Sequence, residues 1–503
     1  MALTLGLLFL RPGAPTTLRN DSDPNRKAFG GRSTRSHIGS MQDLTTGSIT
    51  RHLLKTTSYM LVMMVFQTLY YLIDLYWVGR LGTAAVAGVG IAGNLSFIVL
   101  AISQMLGVGT TTVVSHACGQ KNREDAKHLF NQSQGLAVVA GLLFFAVAMA
   151  GRTGYAQAMS ADGETMRLAN QYLLWFIPAM ALQFPLASMG AALRGTGNFK
   201  PGMVVATATV IINMVLAPFL IFGWWTGRAY GVAGAAMSTL VAIVVGTVWL
   251  ATYFLPKDAF LHFAFSHWRP QLGTWKRILA IGLPAGFEFG MMAVYQFLVY
   301  TVARPFGAAA QAGFGIGMRV IQAGFMPVVA LGFSVAPVAG QNFGARLGQR
   351  VKATFKDAAA MAVAWQVFFI IVCQFAPVAM VRVFAKDPAV IAVGEEYLRV
   401  ISWSFIASGL IFVASSTFQA MGNTVPSLIA SGTRMAVLAA PIISLSRLSS
   451  FQLDWVWYLS LATAYFQLGL VLFLLRREFT RRLDFGLSVT TVPIEAQVAE
   501  PVA

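Results

Sequence analysis

Charged residues are scarce in this sequence. They make up 11% of its 503 residues, whereas soluble domains carry about 25%. Hydrophobic residues make up 56%, and the mean hydropathy is +0.66. This balance excludes an ordinary soluble domain and indicates an integral membrane protein. The formal net charge is +17, but membrane proteins collect Lys and Arg in their cytoplasmic loops, so we predict a lipid bilayer and no nucleic acid as partner.

Cysteine is almost absent as well. Cys118 and Cys373 lie in or beside apolar runs, without the CxxC or Cys/His spacing of a metal site. The sequence also lacks the HExxH, GxSxG and paired-Asp motifs that an intramembrane enzyme would need for a metal or a nucleophile. We therefore predict no disulfide framework, no bound metal and no enzymatic activity.

Long apolar stretches dominate the rest of the chain. Each is about 20 residues or more, the length that a bilayer core demands, and each should be helical because lipid offers the backbone no hydrogen-bond partner. With both termini inside, internal segments hold 25 Lys and Arg and external loops hold 9, which predicts cytoplasmic termini. The twelve predicted spans are 54–79, 89–115, 128–150, 168–192, 199–223, 231–255, 276–304, 312–338, 358–381, 397–420, 427–446 and 456–475.

The second half of the chain repeats the first at a constant offset in numbering. This repeat offset aligns "GTAAVAGVGI" from Gly82 with "GAAAQAGFGI" from Gly307, a shift of 225 in numbering, and 11 of the 38 residues from position 82 to 119 are identical to their counterparts. Because six spans are an even number, both halves keep the same orientation, as in a parallel repeat. We predict an all-α membrane protein of two six-helix lobes with a cleft between them.

The predicted organisation has five parts. The segment 1–47 is basic and rich in Pro, Gly and Ser, which predicts disorder; its first forty residues would also fit sequence upstream of a start at Met41. The other parts are the N-lobe at 48–256, an inter-lobe linker at 257–275, the C-lobe at 276–478 and a cytoplasmic tail at 479–503.

One carboxylate lies deep in the first span, in "YYLIDLYWVGRLG". Asp74 lies about 9 Å below the outer end of the helix, and a charge in the bilayer centre costs roughly 2.5 to 3.5 kcal/mol on insertion scales. Helical spacing places Asp74 on one face with Gln67, Tyr70, Tyr71 and Trp77. This face suits lipid poorly, so we predict that it points into the lobe or the cleft.

Four more polar residues in spans are candidates for a functional site. Gln183 and Asn213 suit either interhelical hydrogen bonds or contacts with cargo. Glu288 and Arg319 suit either an ion pair with each other or a direct role in substrate or proton handling. The predicted substrate cleft comprises Gln67, Tyr70, Tyr71, Gln183, Glu288 and Arg319.

Two further residues find no role in the sequence. Arg434 lies in a predicted span with no evident partner. His116 lies at the inner end of the second span, where we expect it to be near water.

The motifs together resemble the multidrug and toxic compound extrusion (MATE) family over residues 50 to 480. The resemblance rests on their order and spacing across two six-span halves. The motifs are "IDLYWVGRLGTAAVAGVGI", "GVGTTTVVSHACGQKNREDA", "LRGTGNFKP", "NMVLAPFLIFG", "FGAAAQAGFGI", "APVAGQNFGARLGQ" and "FQAMGNTVP".

This resemblance implies secondary active efflux of small cationic or amphipathic compounds, including drugs, by a bacterial inner-membrane protein that acts as a monomer. Inward flow of protons or sodium ions would drive alternating access, without a cofactor. In the branch that the chain most resembles, the acid of the first span holds the coupling ion, which implies this role for Asp74 with Tyr70 and Asn213. The fifth span of that branch carries a second acid, whose place Ala217 takes here.

The sequence is also compatible with other functions. Proteins of the same superfamily flip lipid-linked saccharides, which are large anions; Arg319 and Arg434 favour such a cargo, whereas Asp74 opposes it. A channel is a poorer fit, because two lobes form a cleft rather than a ring of filter carbonyls.

Overall fold

The computed structural model describes residues 41–224, 227–446, 448 and 451–485. Most of the predicted N-terminal segment, residues 1–40, and most of the predicted tail, residues 486–503, lie outside the described residues. Within the described part, twelve helices are long and apolar enough to cross a membrane. The prediction of an all-α protein with twelve spans is thus confirmed.

Among the described residues, six α-helices form the N-lobe and eight α-helices form the C-lobe. In the N-lobe the helices are α1 (Ile49–Gly79), α2 (Thr83–Gly119), α3 (Arg123–Met159), α4 (Gly163–Gly195), α5 (Phe199–Phe222) and α6 (Val232–Thr252). In the C-lobe they are α7 (Leu272–Ala303), α8 (Ala308–Gly344), α9 (Gly348–Phe375), α10 (Pro377–Arg382), α11 (Pro388–Ile401), α12 (Phe405–Ala420), α13 (Val425–Leu445) and α14 (Asp454–Arg482).

The tenth span is not one regular helix. A 3-10 turn at Ser402–Ser404 separates α11 from α12, and the short α10 lies in the preceding loop. Several other helices are longer than their predicted spans. The helix α2 has 37 residues, or about 55 Å, so it extends well beyond a hydrocarbon core of about 30 Å.

The two lobes repeat one packing scheme. The contacts of α2 with α4, α4 with α6 and α5 with α6 recur as those of α8 with α12, α12 with α14 and α13 with α14. The repeat offset that carries Gly82 onto Gly307 also carries both bounds of α2 onto those of α8. Even unusual backbone conformations recur at this spacing, since Lys121 and Arg346 have φ of 57° and 58°.

The start of the first helix of each lobe packs against the other lobe. In α7, Ile278 and Ile281 are buried in a hydrophobic cluster built mainly by α2, α3 and α4. In α1, Leu53 is buried in a cluster built mainly by α8, α9 and α12. This exchange holds the lobes together at the end of the molecule where α1 and α7 begin.

The residues just before α1 form a strap between the lobes. The backbone N–H of Gln42 donates to the Thr196 carbonyl at 2.9 Å, while that of Leu44 donates to Gln341 Oε1 at 3.0 Å. Arg350 donates to the carbonyls of Leu44 and Gly47. Leu44 is buried. The prediction of disorder for 1–47 is therefore wrong for residues 42–47, because backbone hydrogen bonds and one apolar anchor fix them.

Candidate functional site

Asp74 lies in the last two turns of α1, half-buried. Its Oδ1 atom is shielded from solvent and accepts no hydrogen bond within the part of the chain that the structure describes. Buried polar atoms are nearly always paired, because an unpaired one costs about 1–3 kcal/mol. A carboxylate held only for structural reasons would have its donors in place, so this arrangement favours a group that binds something in the working cycle.

A chain of hydrogen bonds beside Asp74 joins α1 to α5 and α6. Asn213 Nδ2 donates to Thr239 Oγ1 at 3.1 Å and lies 3.4 Å from Ser238 Oγ. The hydroxyls of Thr239 and Tyr70 are 3.3 Å apart. Because Thr239 donates to the Ala235 carbonyl, Tyr70 is the donor of that bond. The sequence grouped Asp74, Tyr70 and Asn213. In the structure Tyr70 lies on α1 with Asp74, and it is linked to Asn213 on α5 through Thr239 on α6.

The predicted polar face of α1 divides into two faces. Tyr70 and Trp77 point into the N-lobe, where Trp77 packs edge-on against Phe222 with ring centroids 6.0 Å apart. Tyr71 and Gln67 are both exposed. The face that points into the N-lobe thus carries Asp74 and Tyr70, which together with Asn213 and Thr239 we call the Asp74 group. Gln67 and Tyr71 lie on the exposed face of α1.

No second carboxylate accompanies Asp74 in the described spans of the N-lobe, apart from acids in first helical turns. Ala217, at the position where the sequence lacks an acid, is buried in an apolar cluster with Tyr172 and Val78. Tyr172 of α4 and Tyr70 both lie within electrostatic range of Asp74. In the described spans of the N-lobe, two tyrosines rather than a second acid thus interact electrostatically with this carboxylate.

Glu288 is held by hydroxyl groups in the C-lobe. Its Oε2 accepts from Ser427 at 2.7 Å, and its Oε1 accepts from Ser415 at 3.0 Å and from Ser431 at 3.3 Å. The ion pair with Arg319 is not formed, since no acid lies within 4.0 Å of Arg319 in the described ranges. Three serines on α12 and α13 meet the hydrogen-bonding needs of Glu288, so Arg319 stays exposed.

Arg434 is linked to Glu288 through two bridging residues. Arg434 Nη1 donates to Gln467 Oε1 at 3.2 Å, and Gln467 Nε2 donates to Ser431 Oγ at 3.0 Å. The guanidinium also lies 6.0 Å from the ring centroid of Tyr295, a cation–π distance. The network gives Arg434 the role that the sequence did not suggest, as a half-buried cation linked to the carboxylate through an amide and a hydroxyl.

Sequence reasoning missed the serines and Gln467. The available signal was weak: Ser427 and Ser431 are four residues apart and share one face of an otherwise apolar helix. Gln183 is half-buried in α4. In the described residues, neither Glu288 nor Arg319 shares a hydrogen bond or ion pair with Asp74, so the predicted cleft residues are divided between the lobes.

All hydrogen bonds between the lobes lie at one end, as far as the described residues show. On one side the partners are the strap and the start of α1 at 44–50, residues 112–116 and Gly195; on the C-lobe side they fall in 341–357 and 419–420. Asp74 belongs to the opposite end of α1. The lobes are therefore joined at the end where α1 and α7 begin, and the Asp74 group lies towards the opposite end.

Known proteins resemble this chain along most of its length. The probable multidrug resistance protein NorM of Thermotoga maritima is 24% identical over 365 residues, which cover 73% of this chain and 78% of the relative. The multidrug export protein MepA of Staphylococcus aureus strain N315 is 26% identical over 392 residues, which cover 76% and 83%.

Solved structures share the fold. A MOP superfamily transporter from Pyrococcus furiosus superposes with a TM-score of 0.80 at 22% identity, covering 87% of this chain and 97% of that chain. The outward-facing conformation of a multidrug resistance MATE family transporter has the same TM-score, identity and coverage.

The profile of the MatE family matches the chain twice, once in each lobe. The matched residues are 60–219 and 284–445, more than half of the chain, and each match covers the first five spans of its lobe. Together with two six-helix lobes and a carboxylate in the first span, these matches identify a multi-pass membrane transporter rather than an enzyme: the chain belongs to the MATE family.

Proposed function

We propose that this transporter is a secondary active antiporter, which exports small cationic or amphipathic organic compounds in exchange for protons or sodium ions. The observation that carries the proposal is the Oδ1 atom of Asp74, which is buried in a membrane-spanning helix and has no hydrogen-bond partner among the described residues. A coupling cation satisfies this oxygen when it binds. The names of the relatives, multidrug resistance and multidrug export proteins, support drugs as cargo.

In the proposed cycle, Asp74 alternates between a charged state and a cation-bound state. Binding of a proton or sodium ion neutralises the carboxylate and removes the cost of its charge in the membrane. Because Tyr70 and Asn213 link α1 to α5 and α6 through Thr239, a change at Asp74 is transmitted to the packing of α1 in the N-lobe. The ion drives transport only if it binds one conformation more tightly than the other.

The cargo cleft lies between the lobes in this proposal. On the N-lobe side, Gln67, Tyr71 and Gln183 supply amide and aromatic contacts. On the C-lobe side, Glu288 supplies negative charge for organic cations, and Arg319 limits which cations fit. Cation–π attraction at tyrosines suits cargoes of varied shape.

We place the transporter in the plasma membrane with both termini in the cytoplasm; for a bacterial protein this is the inner membrane. The distribution of Lys and Arg supports this orientation. The joined end of the lobes then faces the cytoplasm, and the conformation is an outward-facing one.

Efflux of a fluorescent organic cation from cells or vesicles tests the proposal. The proton and sodium gradients are collapsed one at a time, with wild type and Asp74→Asn side by side. We expect efflux to stop when the coupling gradient is collapsed. In Asp74→Asn we expect no coupled efflux at an unchanged protein level in the membrane, because an amide cannot exchange the coupling cation.

The matched control is Glu395→Gln, which neutralises a surface acid paired with Arg399 in α11 and should leave efflux unchanged. Wild-type efflux by Asp74→Asn would contradict the role of Asp74. If wild type moves no organic cation under either gradient, the antiporter proposal fails, and binding of lipid-linked phosphate would then be measured for the flippase alternative. That alternative has lost part of its basis, since Arg434 is engaged within the C-lobe.

A further inference from the structure

His116 lies inside the contact between the lobes, and not near water as its sequence position suggested. It is 8% exposed, and its Nε2 lies 2.6 Å from the carbonyl oxygen of Ala420. An imidazole N–H must donate this bond, because the carbonyl can only accept. His116 thus joins the inner end of α2 to the end of α12 in the other lobe.

The equivalent residues form a second hydrogen bond between the lobes, with the C-lobe as donor. The repeat offset carries His116 onto Gln341, and it carries Gly195 onto Ala420. Gln341 Nε2 donates to the Gly195 carbonyl at 3.0 Å. Each lobe therefore contributes one donor, from the end of α2 or α8, and one carbonyl, from the end of α4 or α12, at equivalent positions.

Two glycines allow these donors to reach across. A Cβ atom added to Gly119 would collide with the carbonyl oxygen of Gln341, and one added to Gly344, its counterpart in the second lobe, would collide with the carbonyl oxygen of His116. Only glycine permits such a close approach of the two helix backbones. The close contact of α2 with α8 is thus as symmetric as the hydrogen bonds.

The chemistry of this contact suits a joint that separates. Both donors and both acceptors can bond to water once the lobes part, and the net loss of a neutral hydrogen bond is small because water replaces the partner. A permanently fused interface has no need of such exchangeable pairs. In the described residues the other hydrogen bonds between the lobes, such as those from Thr112 to the Gln419 carbonyl and from Thr50 to Asp357, lie at this end as well, so all the polar contacts that break on separation are in one place.

We propose that His116 and Gln341 are the equivalent halves of a releasable latch, which holds the cytoplasmic end shut and must open for the inward-facing state. The proposal rests on the alternating access proposed above. In the transport cycle both are positioning residues: they set the balance between the two conformations and do not touch the coupling ion at Asp74.

Distances between spin labels test the latch directly. The two native cysteines are removed by Cys118→Ala and Cys373→Ala, and labels are attached through Glu124→Cys and Gln349→Cys. These two positions are exposed, are equivalent in the repeat and start α3 and α9 on opposite lobes. In a lipid bilayer without cargo, the separated fraction of the distance distribution reports opening of the cytoplasmic end.

We expect His116→Ala to raise the ratio of separated to joined molecules about 2- to 10-fold, the range set by one lost hydrogen bond. Gln341→Ala should raise it further, because Gln341 also accepts from the Leu44 N–H. Their effects should multiply in the double variant, because both bonds break in the same opening. His116→Gln installs the residue that the other lobe uses, and should stay within about 2-fold of wild type, because it keeps an N–H donor.

Gln374→Ala is the matched control, since Gln374 donates to the Arg399 carbonyl within the C-lobe and its loss should not change the distances. If Gln341→Ala fails to fold, Gln341→Glu replaces it: its carboxylate keeps an acceptor for the Leu44 N–H and removes the donor to Gly195, and the buried negative charge that it adds beside the Gly195 carbonyl should also favour separation. Distances like those of the control in all latch variants would overturn the latch. Wild type that opens and closes without exporting any cation would instead overturn the proposed function and leave the latch standing.

Discussion

At the scale of single residues, the C-lobe network shows how a membrane protein accommodates a charge without a direct ion pair. Glu288 and Arg434 do not touch; Ser431 and Gln467 connect them. Each charge alone would be costly in lipid, so removal of either should leave the other uncompensated.

We therefore expect Glu288→Gln and Arg434→Gln each to lower the free energy of unfolding by about 1–3 kcal/mol. The double variant should lose less than the sum of the two, because it leaves no lone charge. Thermal unfolding in detergent of wild type, both single variants and the double variant provides the double-mutant cycle.

Arg319→Gln serves as the control in that cycle, because the exposed Arg319 is not part of the network. Its effect should add to that of Glu288→Gln. Additivity within about 0.5 kcal/mol for Glu288 with Arg434 would show that the two charges are independent, contrary to the network.

The residue scale also marks a limit of the sequence. Spacing on one helix grouped Tyr70 with Asp74, because residues four apart share a face. Partners on other helices were harder to predict: opposite charge suggested Arg319 for Glu288, whereas three hydroxyls bind it. Hydroxyls are common in membrane helices, and nothing in the sequence says which of them converge.

At the scale of helices, the crossing of α2 and α8 depends on two glycines. Gly119→Ala and Gly344→Ala should each force the helices apart, since the added Cβ meets a backbone carbonyl that cannot move aside freely. Overpacking of this kind costs about 1–3 kcal/mol, and each 1.4 kcal/mol changes the ratio of joined to separated molecules about tenfold. The same pair of spin labels measures this shift.

Gly90→Ala is the control for those variants. Gly90 lies in α2 as well, but a Cβ atom there meets nothing within 4 Å. It should leave the distance distribution unchanged. A shift for only one of Gly119 and Gly344 would show that the two crossings are not equivalent.

Hydropathy predicted all twelve membrane helices, because apolar length is what a bilayer demands. It did not predict how far α2 and α8 continue beyond the apolar window at their inner ends, since the turns at 116–119 and 339–344 are stabilised by contact between the lobes. Nor did it predict the turn between α11 and α12, where the sequence stays apolar on both sides.

At the scale of the whole molecule, the strap at residues 42–47 binds to both lobes at the latch. Removal of residues 1–40 should leave the cytoplasmic end as stable as in the full chain, whereas removal of residues 1–47 should favour separation, because Gln341 loses the Leu44 N–H and Arg350 loses two carbonyl partners. Spin-label distances on both shortened proteins measure the difference.

A matched variant separates anchoring from length. Leu44→Ala in the full chain removes the buried side chain and keeps the backbone hydrogen bonds, so it should shift the distances less than removal of residues 1–47. Equal behaviour of both shortened proteins would mean that the strap does not hold the lobes.

The overall architecture was within reach of the sequence because the internal repeat, read from Gly82 and Gly307 onwards, fixes both the number of lobes and their relation. The way in which the lobes meet was not, since it depends on which face of α2 approaches α8. A composition that predicted disorder for residues 42–47 could not reveal that the ends of two helices offer those residues a binding groove.

The reciprocity of the latch has a consequence for the origin of the chain. His116 of the N-lobe bonds to Ala420 of the C-lobe, and the equivalent Gln341 of the C-lobe bonds to the equivalent Gly195 of the N-lobe. Such reciprocal contacts define the isologous interface of a two-fold symmetric dimer. A single six-helix protein with a donor and a glycine at the end of its second helix would pair with itself through that surface. The contact between the lobes thus has the symmetry of an interface between two identical subunits. A duplication that joined two such subunits in one chain would retain this contact and allow the two halves to diverge in sequence.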